Sequence, residues 1–116
     1  HLGSKRVVIF SGGTGNPLFT TDTAASLRAL EVGCDIILKA TKVAGIFDSD
    51  PEKNPEAKKY DKLTYLEVIS KQLKVMDATS ITMCMEANLP IFVFKLEKEG
   101  SVLNALQNPS VGTIVQ

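Results

Sequence analysis

The sequence has no excess of charge of either sign: lysine plus arginine total 13, and aspartate plus glutamate also total 13. A basic surface of the kind that holds nucleic acid or an anionic membrane is therefore not expected. The most charged stretch, residues 52–62 (EKNPEAKKYDK), intersperses its lysines with acids and reads as a solvated loop. Cysteine is scarce, with Cys34 and Cys84 alone, which excludes a disulfide framework. Both lie in apolar settings and are expected to be reduced core residues. No apolar run approaches the roughly 20 residues of a membrane span, and no secretory leader opens the chain. A cytoplasmic protein without membrane or nucleic-acid partners is the expectation. Internal repeats and low-complexity tracts are also missing. At 116 residues the chain fits a single domain, 1–116. It begins at His1 and enters a strand pattern within a few residues, as a piece of a longer polypeptide would.

The most informative stretch runs from residue 7 to residue 30. A β-branched run (VVIF, residues 7–10) predicts a short buried strand. It breaks into SGGTGNP (residues 11–17), too rich in glycine for regular structure. Thr20, Thr21 and Asp22 then offer side chains of the N-cap class, and residues 23–30 are good helix formers. Strand, glycine loop and helix start, in that order, gather backbone N–H groups and the positive end of a helix dipole around an anion, most often a phosphate. The same order also serves any α/β protein that needs a tight turn. Two nucleotide fingerprints fail here. No lysine follows the glycines, as a P-loop requires, and Leu18 stands where a dinucleotide loop starting at Gly13 needs its third glycine.

Further on, Gly33 is suited to a left-handed helix cap, and DIILK (residues 35–39) reads as a strand buried on both faces. With the first strand and helix it makes a right-handed βαβ unit. The loops after both strands should open on one side of the sheet, where ligands bind in open α/β folds. Asp48 and Asp50 invite a calcium-loop reading, which fails because Lys53 occupies the required glycine position. Thr64 and Glu67 have capping-box spacing, predicting a helix from Tyr65 to about Lys71. Asp77 precedes a second helix over residues 78–88, Ile91 to Phe94 make a buried strand, a short helix follows Gly100, and residues 113–115 close as an edge strand. Four strands and four helices in alternation predict an α/β fold with a mainly parallel sheet flanked by helices.

Three runs sharpen this. GTGNPLFTTDTAASLRALE (residues 13–31), DIILKATKVAGIFDSDPEKNPEAKKYDKLTYLEV (residues 35–68) and LKVMD (residues 73–77) closely resemble bacterial UMP kinases of the amino-acid kinase superfamily. The resemblance covers nearly the whole chain, but only the C-terminal, nucleotide-binding half of such an enzyme. The N-terminal half, with its own glycine loop and phosphate-contacting lysine, has no counterpart here.

The resemblance implies phosphoryl transfer from ATP to UMP, with Mg2+ accompanying ATP. It also implies, for the intact family, a homo-oligomer (a hexamer) activated by GTP and inhibited by UTP. It assigns UMP to Thr14, Gly15, Asn16, Pro17, Leu18, Phe19, Thr20 and Thr21, and ATP to Thr41, Phe47 and Asp50. Locally, Phe47 reads equally as core packing and Asp50 as a turn cap before Pro51. Asp22 and Asp77 are the implied catalytic carboxylates, Asp22 as an organiser of lysines, although each also reads as a helix-start acid. Ala44 stands where the family often has an acid, and Leu18 where it commonly has an aromatic. The alternatives are another superfamily member, such as a carbamate or glutamate kinase, and a nucleotide-binding module without turnover.

Overall fold

The computed structural model describes residues 3, 5–11, 13, 15, 21–97 and 99–116. Its order is α1 (Thr21–Val32), β1 (Ile37–Thr41), β2 (Lys62–Leu63), α2 (Tyr65–Ser70), α3 (Ala78–Glu86), β3 (Ile91–Lys95), α4 (Ser101–Gln107), a 3₁₀ turn (Pro109–Val111) and β4 (Gly112–Val115). The four strands form one sheet in the order β1-β3-β4-β2. β1 pairs with β3 in parallel, Ile37 opposite Ile91 and Thr41 opposite Lys95. β2 and β4 are also parallel, whereas β3 and β4 run antiparallel, Ile91 opposite Val115. The mainly parallel α/β architecture expected from the sequence is thus present.

β3 is the strand that both layers are built on. Side chains alternate across a strand, so Ile91 and Val93 enter one core with Ile37, Val68, Ile81, Cys84 and Val115. Phe92 and Phe94 enter a second core with Ala105 of α4. All four are buried, as a central strand covered on both faces requires. The rings of Phe92 and Phe94 stack with centroids 6.1 Å apart. Truncating a residue as buried as Phe94 costs about 3–5 kcal/mol.

Helix ends follow local chemistry. Beyond α1, Gly33 takes φ +72°. Its N–H donates to the Leu30 carbonyl while Cys34 N–H donates to that of Ala29, the paired bonds of a left-handed cap. Thr64 caps α2 in a complete capping box: Glu67 N–H donates to Thr64 Oγ1 at 3.1 Å, and Thr64 N–H to Glu67 Oε1 at 3.2 Å.

Four expectations change. Residues 7–10 form no strand; Val7 is 93% exposed and Ile9 87%. A β-branched run needs a neighbour to pair with, and among the described residues β1 pairs only with β3, on its other edge. Cys84 is buried as expected, but Cys34 is exposed, because it follows the helix cap rather than facing the sheet. The strand at residues 112–115 is interior, lying between β3 and β2. The sheet's fourth member is instead the two-residue β2.

Candidate functional site

The site is built where β1 passes the first turn of α1. In β1, residues Ile37, Lys39 and Thr41 share one face by alternation, the face that carries α1, α2 and α3. Lys39 therefore points away from α4 and toward α1. Its ammonium lies 3.3 Å from Asp22 Oδ1 and also donates to the Val75 carbonyl. Both side chains are partly shielded, 26% exposed for Lys39 and 33% for Asp22. An ammonium carries three N–H donors. Two are directed at Asp22 and Val75, so among the described residues a third is left for an incoming acceptor.

Asp77 stands at the start of α3. It accepts from Ser80 N–H at 2.8 Å, capping the helix, and from Thr23 Oγ1 at 3.3 Å to each carboxylate oxygen. Ser80 Oγ in turn donates to Thr23 Oγ1 at 3.4 Å. These contacts bind the N-terminus of α3 to that of α1. One turn further along, Cys84 Sγ meets Ser26 Oγ at 3.5 Å. Burial raises the Cys84 thiol above its ordinary pKa of 9.0, and the Ser26 contact opposes this in part. Two helix starts, one ammonium and two carboxylates thus converge at one place. The helix starts and Lys39 favour an anion, while the carboxylates hold Lys39 and Thr23 in position.

A cleft of about 480 Å³ opens beside Asp22, walled by Val68, Leu73, Met76 and Ile81 among others. Two residues beyond Lys39, Thr41 ends β1. Its hydroxyl donates to the Val43 carbonyl at 2.7 Å and accepts from Val43 N–H at 3.1 Å, turning the chain into the following loop. In that loop Phe47 is half-buried and bridges Lys59. Asp50 is exposed, and its Oδ1 accepts from Glu52 N–H at 2.9 Å. The local reading of Asp50 as a turn cap is what the geometry displays. A groove of about 520 Å³ lies at the carboxyl end of β3, lined by Ala44, Lys95, Ser101 and Asn104 among others. Phe47 and Asp50 are not among its lining residues.

Of the glycine loop, Gly13 and Gly15 take positive φ, +62° and +75°, as a loop approached closely by a ligand allows. Thr21 opens α1 and lines a groove of about 390 Å³ with Phe10 and Gly13. Thr14, Asn16, Pro17, Leu18, Phe19 and Thr20 lie outside the described residues, and so does the expectation that Thr14 and Thr41 share one side of the sheet. Lys39 was not singled out from the sequence. Its signal was present: a lysine two residues beyond Ile37, at an inward-facing position of the apolar run DIILK. Among the described residues, no cluster of three or more histidine, cysteine or acidic side chains is placed to hold a metal ion. No helix there is long and apolar enough to cross a membrane.

Comparison with known proteins adds to this geometry. The profile of the Amino acid kinase family matches residues 1–95. The chain is 54% identical over 115 residues to uridylate kinase PUMPKIN, chloroplastic, of Arabidopsis thaliana, spanning 99% of this chain and 34% of that protein. Its structure superposes on UMP kinase from Bacillus anthracis with a TM-score of 0.94 at 38% identity, covering all of this chain and 48% of the other. For UMP kinase from Ureaplasma parvum the TM-score is 0.93 at 40% identity, covering 99% and 49%. The chain therefore spans about a third of the plant relative and about half of the solved structures.

Proposed function

Because this chain belongs to the amino acid kinase family, we propose that it forms the nucleotide-handling, C-terminal half of a kinase that transfers phosphoryl from ATP to UMP, giving UDP and ADP. The observation that carries the reading is the Asp22–Lys39 pair at the start of α1, with one lysine N–H left for an anion. The relatives named as uridylate and UMP kinases supply the substrates.

Phosphoryl transfer asks the protein mainly to hold two phosphates in line and to stabilise charge on the transferring group. In this reading Lys39 supplies positive charge to that group, and Asp22 holds the ammonium in place. Asp77 acts one step back, fixing the start of α3 and, through Thr23, that of α1. The glycine loop holds UMP: main-chain N–H groups and the hydroxyls of Thr14, Thr20 and Thr21 meet its phosphate, while Gly15, Asn16, Pro17, Leu18 and Phe19 shape the pocket. Thr41, Phe47 and Asp50 receive ATP on the β1 side, with Phe47 offering a ring face to the base and Asp50 an acceptor to hydroxyl or amino groups. Mg2+ enters as part of the ATP substrate, bound through the phosphates.

Homo-oligomeric assembly, the effectors GTP and UTP, a single domain over residues 1–116 and a cytoplasmic location complete the proposal. The plant relative is named as chloroplastic.

A coupled assay of ADP release by a full-length enzyme carrying this chain as its C-terminal half, with ATP and each candidate acceptor, tests the reading. Release that depends on UMP, and not on carbamate or glutamate, is expected. Binding of both nucleotides without ADP release would assign the chain to a binding module and overturn the kinase reading.

A further inference from the structure

The loop between β1 and β2 carries two of the proposed ATP contacts, Phe47 and Asp50, while the third, Thr41, lies inside β1. What fixes the rest lies on β4, far away in sequence. Thr113 is fully buried, and its hydroxyl accepts from Ile46 N–H at 3.0 Å and donates to the Tyr60 carbonyl. Residues 46 and 60 are the two arms of the loop, joined to each other by Tyr60 N–H donating to the Ile46 carbonyl at 2.8 Å. One hydroxyl thus holds both arms where they leave the sheet. The ladder continues outward through the bridge of Phe47 with Lys59 and through Asp48 N–H donating to the Lys58 carbonyl at 3.0 Å.

Two neighbours complete the clamp. Gly45 packs so tightly that a Cβ there would stand 2.6 Å from Thr113 Oγ1 and 3.1 Å from Lys59 Cδ. Lys59 reaches across to donate to the Ser110 carbonyl at 2.8 Å, next to the start of β4. Both hydrogen-bonding capacities that Thr113 directs at the loop are specific to a hydroxyl: one N–H received, one carbonyl supplied. A valine of the same shape would leave the buried Ile46 N–H and the part-buried Tyr60 carbonyl without this partner.

We propose that Thr113 is a positioning residue for nucleotide binding: by clamping Ile46 and Tyr60, it sets where Phe47 and Asp50 stand at the carboxyl end of β1. The proposal rests on the reading that this loop meets ATP. Thr113 touches no substrate itself. Its effect falls on the donor side alone, because its hydrogen-bond partners among the described residues, Ile46 and Tyr60, belong to that loop.

Calorimetric titration of the full chain with ATP and with UMP, beside amide hydrogen exchange, tests this on Thr113→Val and Thr113→Ser. In Thr113→Val, affinity for ATP is expected to fall about tenfold while that for UMP stays within about twofold, the scale of one lost buried hydrogen-bonding group. Exchange at the Ile46 and Tyr60 amides should quicken, and Thr113→Ser, which keeps the hydroxyl, should restore both. If Thr113→Val does not fold, Gly45→Ala displaces the same arm from the other side and should show the same split. Equal losses for the two nucleotides, unchanged ATP affinity, or no rescue by serine would overturn the proposal. A wild-type chain that binds UMP but not ATP refutes the donor-loop reading before any variant is made, and the proposal with it.

Discussion

Asp22 and Lys39, 17 positions apart in sequence, meet at 3.3 Å where the first turn of α1 passes the middle of β1. A carboxylate at a helix start satisfies the dipole, and that alone would explain Asp22. The ammonium facing it, held also by the Val75 carbonyl, gives the aspartate a second task, the orientation of a cation. The two tasks separate experimentally.

In a full-length enzyme carrying this half, Asp22→Asn is expected to lower kcat by roughly two orders of magnitude or more, the scale of losing one preorganised electrostatic element. KM for either nucleotide should move far less, since ground-state binding rests on the loops. Asparagine keeps the size and still suits a helix start, so stability should change by only about 1 kcal/mol or less. Steady-state kinetics beside the melting temperature decide it. A kcat within about threefold of wild type would leave Asp22 as a helix-start acid.

Lys39→Met removes the cation and keeps the length of the stem. The loss in kcat should match that of Asp22→Asn within about tenfold, and the double variant should be scarcely worse than the poorer single one, because residues acting as a unit are not additive. Multiplicative losses in the double variant would show that the two act separately.

Asp50→Asn keeps the Oδ1 acceptor that bonds Glu52 N–H, so the turn and the melting temperature should be unchanged. Any effect then reports on ligands. ATP is expected to bind more weakly and UMP as before; titration with each nucleotide reads this out, and equal losses would detach Asp50 from the donor side.

Gly112→Ala should damage the fold, and with it the adjoining clamp of Thr113 and Lys59. A Cβ there would collide with the Val93 carbonyl and stand 2.7 Å from Phe92 Cζ, inside the second core. A loss of at least about 2 kcal/mol is expected from overpacking, measured by chemical unfolding.

Burial raises both the Cys84 thiol and the Tyr65 phenol above their ordinary values of 9.0 and 10.0. The folded state therefore holds these protons more tightly than the unfolded chain. The associated stability is fully present below the ordinary thiol pKa and is lost as pH climbs through the raised values. Unfolding midpoints should thus fall as pH rises above about 9, and Cys84→Ala should lessen the slope. Thiol reagents should modify exposed Cys34 rapidly and Cys84 only on unfolding.

Local chemistry was legible where one or two residues decide a backbone state. Gly33 had to be a left-handed cap, and Thr64 with Glu67 had to start a helix; both are so. The glycine loop and Asp22 could be picked out because their spacing alone implies a helix start. Pairing was less legible, because a strand is defined by its neighbour. The run at residues 7–10 has every strand propensity and no strand partner among the described residues, while Lys62 and Leu63 carry no strand signature and pair with Ile114 and Val115. Lys39 escaped notice for a related reason. Read as the end of an apolar run it looks like a strand terminus, and only the position of α1 across its face turns it into an ion-pair partner. Asp50 was legible in both senses at once, and the turn is the one the geometry displays.

The placement of β4 between β3 and β2 bears on how the molecule is made. During synthesis the chain emerges from its N-terminal side first. β1, α3 and β3 can assemble as soon as residue 95 has left the ribosome. β2 has no strand to join until residues 112–115 follow, because among the described residues β4 is its strand partner in the sheet. Until then the β1–β2 loop also lacks the hydroxyl of Thr113. A nascent chain stalled before residue 112 should therefore protect Ile37 and Ile91 from exchange while leaving Leu63 and Ile46 open.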